Sequence, residues 1–358
     1  MNKNAVLIFL LTIILSLIGL FILYESSSYT ALLNLGDRFY FIKNQAIYLP
    51  IGIGFALIVS KIPEKKLYTL SLPFLLVTLV LLVAVFIPGI GLELKGSNRW
   101  IDLGFIVFQP SEFLKISLTL YLAAWLSSKE KNRLFAFFIL LGVFCGMVLL
   151  QPDLGTAFII AVMAISIYYL AGAKIYEMAI IGALLVLGVV FFVNVASYRL
   201  ERFSSFREFS IDKPTDNTYH LRQIILGIGS GGLFGVGPGN SIQKYAYLPE
   251  NTTDSIFAIY AEETGFAGSV VLIGLYFLLA ILGFLIAIIS KDMFGRLLAS
   301  GITIFITIQV LINLSSQAII VPLTGVPLPF ISYGGSAMLI NFIAIGLLMN
   351  VANNSNKK

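Results

Sequence analysis

"AVLIFLLTIILSLIGLFILY", residues 5–24, is a run of twenty residues without a charge. About 20 apolar residues of helix cross a bilayer's hydrocarbon core. A secretory leader would have a shorter apolar core and a small-residue cleavage site. The "YESSSYT" that follows offers only weak cleavage candidates, so a retained first span is expected. The rest of the chain has the same character. Of 358 residues, 58% are hydrophobic and 11% charged, against roughly 25% charged in a soluble domain. Mean hydropathy is +0.96. A polytopic membrane protein is the class that fits. The lone Cys145 lies in an apolar run and cannot form an intrachain disulfide.

Apolar runs place ten helices, roughly at 5–24, 44–60, 67–87, 106–126, 133–150, 154–171, 175–195, 255–289, 297–320 and 334–352. The expected fold is an all-α polytopic membrane protein, one domain over 1–358, with about ten transmembrane helices. One set of helix ends carries Lys3, Lys61, Lys65, Lys66, Lys129, Lys131, Arg133, Lys174, Lys291, Arg296, Lys357 and Lys358; the short loops opposite carry Arg38, Lys43, Lys95 and Arg99. Basic residues collect on the cytoplasmic side, so both termini are expected inside. The net charge of +5 follows from these loops and does not point to nucleic acid. Residues 196–254 make one long outer connection, a length that is more often functional than idle. Its first half, "YRLERFSSFREFSIDKPTDNTYH", is charged and amphipathic. Its second half, "LRQIILGIGSGGLFGVGPGNSIQKYAYLP", is apolar, glycine-rich and too broken to span. A re-entrant or interfacial segment is expected, because irregular backbone at membrane depth needs protein or a wet cavity to satisfy it.

Where that connection meets the next helix, "YLPENTTDSIFAIYAEETGF" (residues 247–266) carries Glu250, Asp254, Glu262 and Glu263. With a helix from near Thr252, Asp254, Ala258, Ala261, Gly265 and Gly268 share a face of small residues. Asp254 then either caps that helix or marks a site, as charges within spans usually do. Glu262 and Glu263 fall on other faces and are expected to meet basic groups or polar backbone. In "GSNRWIDLGFIVFQPSEFLKISLTL" (residues 96–120), Glu112 and Lys115 are helix-surface neighbours. They form either an ion pair that fixes packing or part of a polar cavity with Arg99 and Trp100 at its mouth. The guanidinium fork of Arg suits a phosphate; Trp is equally an interface anchor.

"LQPDLGTA" (residues 150–157) puts Pro152 at a helix N1 position and Asp153 in the first turn, a structural arrangement. Gly227, Gly229 and Gly232 match G-x-G-x-x-G, but no βαβ unit surrounds them. Glycines here offer close backbone approach and free N–H groups for a pyrophosphate or head-group path. "VPLTGVPLPFISYGGSA" (residues 321–337) holds three prolines, which prevent helix; a stiff plug leading into a broken helix is expected. His220 is the sole histidine and is given no chemistry.

The motifs "GSNRWIDLG…QPSEFLK", "QPDLGTA", "GSGGLFGVGPGNSIQKYAYLPENTTDSIFAIYAEETGF" and "PLTGVPLPFISYGGS" together resemble the SEDS family of shape, elongation, division and sporulation proteins (RodA, FtsW and SpoVE). They run through nearly the whole chain in the right order and look more like the FtsW/SpoVE branch. The resemblance implies a peptidoglycan glycosyltransferase that polymerises lipid II at the outer leaflet of the bacterial cytoplasmic membrane. It implies Asp254 as general base and Glu112 as a second catalytic residue. Arg99, Trp100, Lys115, Arg222, Lys244, Ser332 and Gly334 are the substrate-binding candidates. Undecaprenyl pyrophosphate leaves. No cofactor is required; Mg2+ or Mn2+ could assist, with Asp254 or the pyrophosphate as ligand. The implied partners are a class B penicillin-binding protein transpeptidase and other elongation or division proteins. Ser255, where the family usually has Phe, and Thr264, where it usually has Leu, depart from the pattern without removing a polar group. A lipid II flippase and a non-catalytic scaffold are the alternatives. The gathering of carboxylates at the outer face, away from the midplane where transporters bind, weighs against the first.

Overall fold

Among the described residues, ten helices form where the apolar runs predict them, and an eleventh lies in the long connection between the seventh and eighth of these. They are α1 (Lys3–Leu35), α2 (Tyr40–Val59), α3 (Glu64–Ala84), α4 (Pro110–Ser127), α5 (Leu134–Leu150), α6 (Leu154–Leu170), α7 (Ile175–Val195), α8 (Tyr219–Ser230), α9 (Ile256–Ile289), α10 (Met293–Gln317) and α11 (Gly335–Ser355). The computed structural model describes residues 2–94, 97–102, 104, 107–128, 133–195, 206 and 218–355. The expectations that rest on Lys95, Lys129, Lys131, Lys357, Lys358 and most of the charged first half of the outer connection lie outside the described residues. Among the described residues six helices are long and apolar enough to cross a membrane: α1, α2, α3, α9, α10 and α11. The protein is a multi-pass membrane protein.

The expectation of an all-α chain needs correction. Strands β1 (Gly91–Leu94), β2 (Ser97–Asp102) and β3 (Val107–Phe108) form a three-stranded antiparallel sheet between α3 and α4. Gly91 faces Ile101, and Ile101 faces Phe108. The physical reason is Pro110. A proline disfavours helical geometry in the residue before it and fits the first helical turn itself. Helix α4 therefore begins at Pro110, not near 106, and Val107–Phe108 stays extended and pairs with β2.

The centre of the bundle is α4, α6, α10 and α11. The apolar windows of α11 and α10 are 78% and 67% buried, against 22% for α2 and 28% for α3. That difference puts α2 and α3 at the rim and α10 and α11 inside. Asp292 caps α10 by accepting from the Gly295 N–H. Two helices are too long for a bilayer: α1 has 33 residues and α9 has 34, about 50 Å each at 1.5 Å per residue, against a hydrocarbon core of about 30 Å. The surplus of both stands at the same end of the bundle and holds the end of the long connection, where Asn251 donates to the Ser26 carbonyl and the Thr30 hydroxyl.

Helix α9 is not continuous. Gly265 has φ 69° and ψ −164°, a conformation essentially reserved to glycine. Residues 232–237 fill the break. The N–H groups of Phe266 and Ala267 donate to the carbonyls of Gly232 and Leu233 at 2.9 and 3.0 Å, while Val236 and Gly237 donate to the carbonyls of Glu262 and Glu263 at 3.0 and 3.1 Å. A side chain has no room here: a Cβ on Gly265 would lie 2.3 Å from the Gly235 nitrogen, and one on Gly231 would lie 2.2 Å from the Ala261 carbonyl oxygen. The glycine series thus serves close packing and backbone pairing, and the N–H groups of Val236 and Gly237 are spent on α9. The broken helix is α9; α11, expected to be broken, runs unbroken over 21 residues.

Residues 321–328 are non-helical, as the prolines require, and the chain turns at 329–333 before α11. Side-chain donors collect the plug's carbonyls. Gln309 donates to Pro327 at 3.0 Å, Asn313 to Val326 at 2.8 Å, Gln45 to Ser332 at 3.3 Å, and the Tyr276 hydroxyl to Pro329. Gly19 of α1 lets the plug lie against it, since a Cβ there would meet the Phe330 carbonyl oxygen at 2.4 Å.

Candidate active site

Asp254 sits in a turn, one residue before Ser255, the N-cap of α9. This corrects the expectation of a helix from near Thr252. Asp254 does not lie on the small-residue face of α9; Ala258 and Ala261 of that face pack under α8, where Gly227 and Gly231 approach them. The turn is held from three sides. Its Asp254 carbonyl accepts from Asn313 at 2.9 Å and from Gln317. Its Thr253 carbonyl accepts from the Ser332 hydroxyl at 2.6 Å, and its Thr252 carbonyl from the Tyr333 N–H at 2.9 Å. Ser332 in turn accepts from the Leu328 N–H at 2.8 Å. Asp254 is a half-buried residue and its carboxylate lies against the plug: one of its oxygens is 3.4 Å from where a Cβ of Gly325 would be.

Beneath the plug lies the α4 pair. Lys115 is 1% exposed and Glu112 4%. The Lys115 ammonium donates to Glu112 Oε1 at 2.9 Å and to Gln309 Oε1 at 2.8 Å. Gln309 passes the connection on to Pro327, so a chain of polar contacts runs from Glu112 to the plug. Glu112 Oε2 is buried with no hydrogen-bond partner among the described residues. A charged pair this deep is costly to desolvate, and removing one partner leaves the other's charge buried.

The other sequence-selected residues are placed less directly. Arg99 on β2 donates through Nε to the Gln151 carbonyl at 2.8 Å and through a terminal nitrogen to the Pro152 carbonyl at 2.6 Å. It clamps the α5–α6 turn with two of its nitrogens. Trp100 pairs with Leu92 across the sheet. Asp153 is structural, as expected, but as the N-cap of α6, accepting from the Thr156 N–H at 3.0 Å; Pro152 precedes the cap and is not at N1. Lys244 bridges Glu25 of α1 at 3.0 Å and Glu263 of α9 at 3.2 Å. Burial opposes its charge, but hydrogen bonds and attraction from the two carboxylates outweigh this and hold its pKa above the ordinary lysine value. Glu262 accepts from the N–H groups of Ile242 and Gln243 at 3.1 and 3.3 Å and from the Ser241 hydroxyl. Both glutamates therefore found the polar backbone or basic partner expected of them. Arg222 lies on α8, with its Nε buried and unpartnered among the described residues. Gly334 donates its N–H to Gln45 at 3.3 Å.

Sequence reading missed the amides. Gln309, Asn313 and Gln317 follow one another at four-residue spacing in "TIQVLINLSSQ" and share a helix face. That polar stripe in an apolar span was a legible signal. Gln45 gave a weaker one, a single amide in α2.

The chain matches the model of the cell cycle protein family FtsW/RodA/SpoVE over residues 5–357. It is similar to a probable peptidoglycan glycosyltransferase FtsW of Trichlorobacter lovleyi, 37% identical over 349 residues and covering 96% of this chain and 91% of that one. It is 36% identical over 353 residues to stage V sporulation protein E of Bacillus subtilis, covering 97% and 96%. Its fold is similar to a chain of a peptidoglycan synthase complex that coordinates polymerization and crosslinking, with TM-score 0.82, 26% identity and 98% of both chains covered. It is also similar to the rod shape determining protein RodA of Thermus thermophilus, with TM-score 0.73, 26% identity, and 98% and 97% covered.

Proposed function

Because the chain belongs to the FtsW/RodA/SpoVE family of cell cycle proteins, we propose that it is a membrane-embedded peptidoglycan glycosyltransferase that polymerises lipid II at the outer face of the bacterial cytoplasmic membrane. The ten helices other than α8 cross the bilayer, with both termini in the cytoplasm; the excess of Lys and Arg at one set of helix ends supports this orientation. Helix α8 and the glycine loop lie at the outer interface.

In the proposed reaction the 4-hydroxyl oxygen of the acceptor GlcNAc attacks C1 of MurNAc on the donor lipid. Asp254 takes the hydroxyl proton. The bond from C1 to the pyrophosphate oxygen breaks, its electron pair leaving with undecaprenyl pyrophosphate. A general base must reach the proton it removes directly or through one water, and the observation that carries the assignment is the Asp254 turn. The carboxylate of this half-buried residue stands on backbone bound by α10, by Ser332 and by Tyr333. Such preorganisation is what a catalytic group requires.

Charge developing on the pyrophosphate calls for positioned cations. Arg222 is favoured by its unpartnered Nε. Lys115 and Lys244 are held by glutamates, and Arg99 by two carbonyls. Glu112 supports the site through Lys115 and Gln309.

The proposal includes a divalent cation, Mg2+ or Mn2+, beside Asp254. The described residues hold no group of three His, Cys, Asp or Glu. They do present three buried, unpartnered neutral oxygens, Asn313 Oδ1, Gln317 Oε1 and Thr324 Oγ1. Asn313 and Gln317 both donate through their amide nitrogens to the Asp254 carbonyl, which brings these side chains to the turn, and Thr324 is the neighbour in sequence of Gly325, which lies against the Asp254 carboxylate. Oxygen-only sets of this kind suit Mg2+ or Mn2+. Bound there, such an ion would supply positive charge toward the leaving pyrophosphate. A class B penicillin-binding protein transpeptidase is the proposed partner, supported by the likeness to a chain of a complex that couples polymerization to crosslinking.

Purified Asp254→Asn is expected to stay folded and to make no glycan polymer from lipid II. Wild-type polymer yield in that variant would refute the base assignment. The same assay, run with and without the partner, separates the polymerase reading from a flippase or a scaffold, neither of which makes polymer.

A further inference from the structure

Ser255 is the N-cap of α9, yet its hydroxyl does not cap. A serine there normally accepts from the N–H two or three residues on. Here it makes no such bond. Instead, His220 Nε2 lies 2.8 Å from Ser255 Oγ. Ser255 is fully buried, and His220, on the first turn of α8, is partly buried. The bond joins α8 to the residue next to Asp254. Among the described residues, α10 and the plug also bind this turn: Asn313 and Gln317 bind the Asp254 carbonyl, Ser332 the Thr253 carbonyl and Tyr333 the Thr252 carbonyl. Those groups bind the backbone from α10 and the plug, and the His220–Ser255 bond adds a hold from α8. Ile224, one turn further along α8, packs with Leu248, Ala258 and Ile259 in a small apolar cluster of its own, so α8 has a firm seat from which to hold the turn.

We infer that His220 is a positioning residue for Asp254: through Ser255 it fixes the pivot on which the carboxylate is carried, a role that diverts a cap hydroxyl from its ordinary bond. The inference rests on the proposed role of Asp254. A positioning residue sets how often the base is in line, not how well the lipid binds. Misplacement of a reacting group by about 1 Å can cost roughly a hundred-fold in rate; loosening one of several restraints is expected to cost about ten-fold.

The test is steady-state polymerisation of lipid II by four full-length proteins: wild type, His220→Ala, Ser255→Ala and the double variant. Both single variants are expected to lose about ten-fold in kcat with KM unchanged, and the double variant to be no worse than either, because the two residues act as one unit. His220→Gln, whose amide can still bond the serine, is expected to recover most of kcat. Wild-type kcat in Ser255→Ala, losses that multiply in the double variant, or a change confined to KM would overturn the inference. If His220→Ala does not fold, Ser255→Ala and His220→Gln decide alone. Asp254→Asn keeps this separate from the underlying reading. Activity in that variant removes the base assignment, whereas its inactivity beside an unaffected Ser255→Ala removes only the positioning role.

Discussion

The glycine loop at 231–237 and the proline plug at 321–334 face the same physical demand and meet it in opposite ways. Both are irregular backbone packed against apolar helices, the plug buried within the bundle and the glycine loop against the start of α9, where backbone polar groups need partners. Glycine keeps its N–H, so the first segment settles its account backbone to backbone: it pairs with α9 at a break made for it, donating through Val236 and Gly237 and accepting at Gly232 and Leu233. Proline has no N–H, so the second segment cannot pair in this way. Its carbonyls are gathered one at a time by Gln309, Asn313, Gln45 and Tyr276. Each segment is also tied to a charge. Lys244 with Glu25 and Glu263 secures the glycine side; Glu112 and Lys115, through Gln309, secure the plug. A segment held by backbone is sensitive to any added side chain. A segment held by side chains is sensitive to loss of particular ones.

The largest effect is expected where the glycine mode is broken. Gly265→Ala puts a Cβ on a residue at φ 69° and ψ −164°, 2.3 Å from the Gly235 nitrogen. The conformational strain alone is about 1–3 kcal/mol. The clash is with backbone that is itself paired, so the total is expected beyond about 5 kcal/mol, the exceptional range for one substitution. Folded, monodisperse protein in detergent should be lost. Gly229→Ala, with nothing within 4 Å of its added Cβ, should stay within about 0.5 kcal/mol of wild type in the same thermal unfolding measurement. Equal behaviour of the two would end the distinction drawn for the loop.

The plug side is expected to yield less and to be repairable. Lys115→Met leaves Glu112 buried at 4% exposure without its cation, which costs about 3–5 kcal/mol. Replacing both, as Glu112→Leu with Lys115→Met, is expected to restore thermal stability to near wild type, because two well-packed apolar side chains avoid the desolvation cost altogether. Polymerisation should stay lost in the double variant. A stable double variant that still made polymer would reduce the pair to packing.

How far these arrangements could be read in advance follows the same division. Helices were legible because a bilayer demands long apolar runs, and α5, α6, α7 and α9 begin and end within a residue of the expected limits. The surplus of α1 was not, since "ESSSYTALLNL" is too polar to extend an apolar run and helix there is set by contacts with Asn251 and Lys244. The sheet escaped because three short strands in an apolar context carry little period-two signal, although Pro110 did fix where α4 begins. Asp254 was legible as a rare carboxylate at a helix mouth. Its restraints were not, because Asn313 and Gln317 lie about sixty residues away, and only the fold brings them to its carbonyl. His220, isolated in sequence, gained a role only once α8 was placed beside Ser255.

The smallest effect sharpens the charge half of the comparison and comes from pH. Lys244 lies in the outer connection, and its pKa is held above the ordinary value by Glu25 and Glu263 despite burial. A group whose folded pKa is raised contributes stability that is fully present below its unfolded pKa, about 10.4 for lysine, and lost as pH rises through the folded value. Between pH 8 and 9 Lys244 should therefore contribute a constant amount, and amide exchange over residues 231–249 should show no change of protection beyond the intrinsic pH dependence of exchange. Above about pH 10.5, protection in that segment should fall while the plug, whose carbonyls are held by neutral amides and a hydroxyl, keeps its own. Lys244→Met should remove the alkaline step in the loop without altering the plug. Loss of protection in both segments together at alkaline pH would mean that the two share one cooperative unit, and that the glycine loop and the plug are not secured separately.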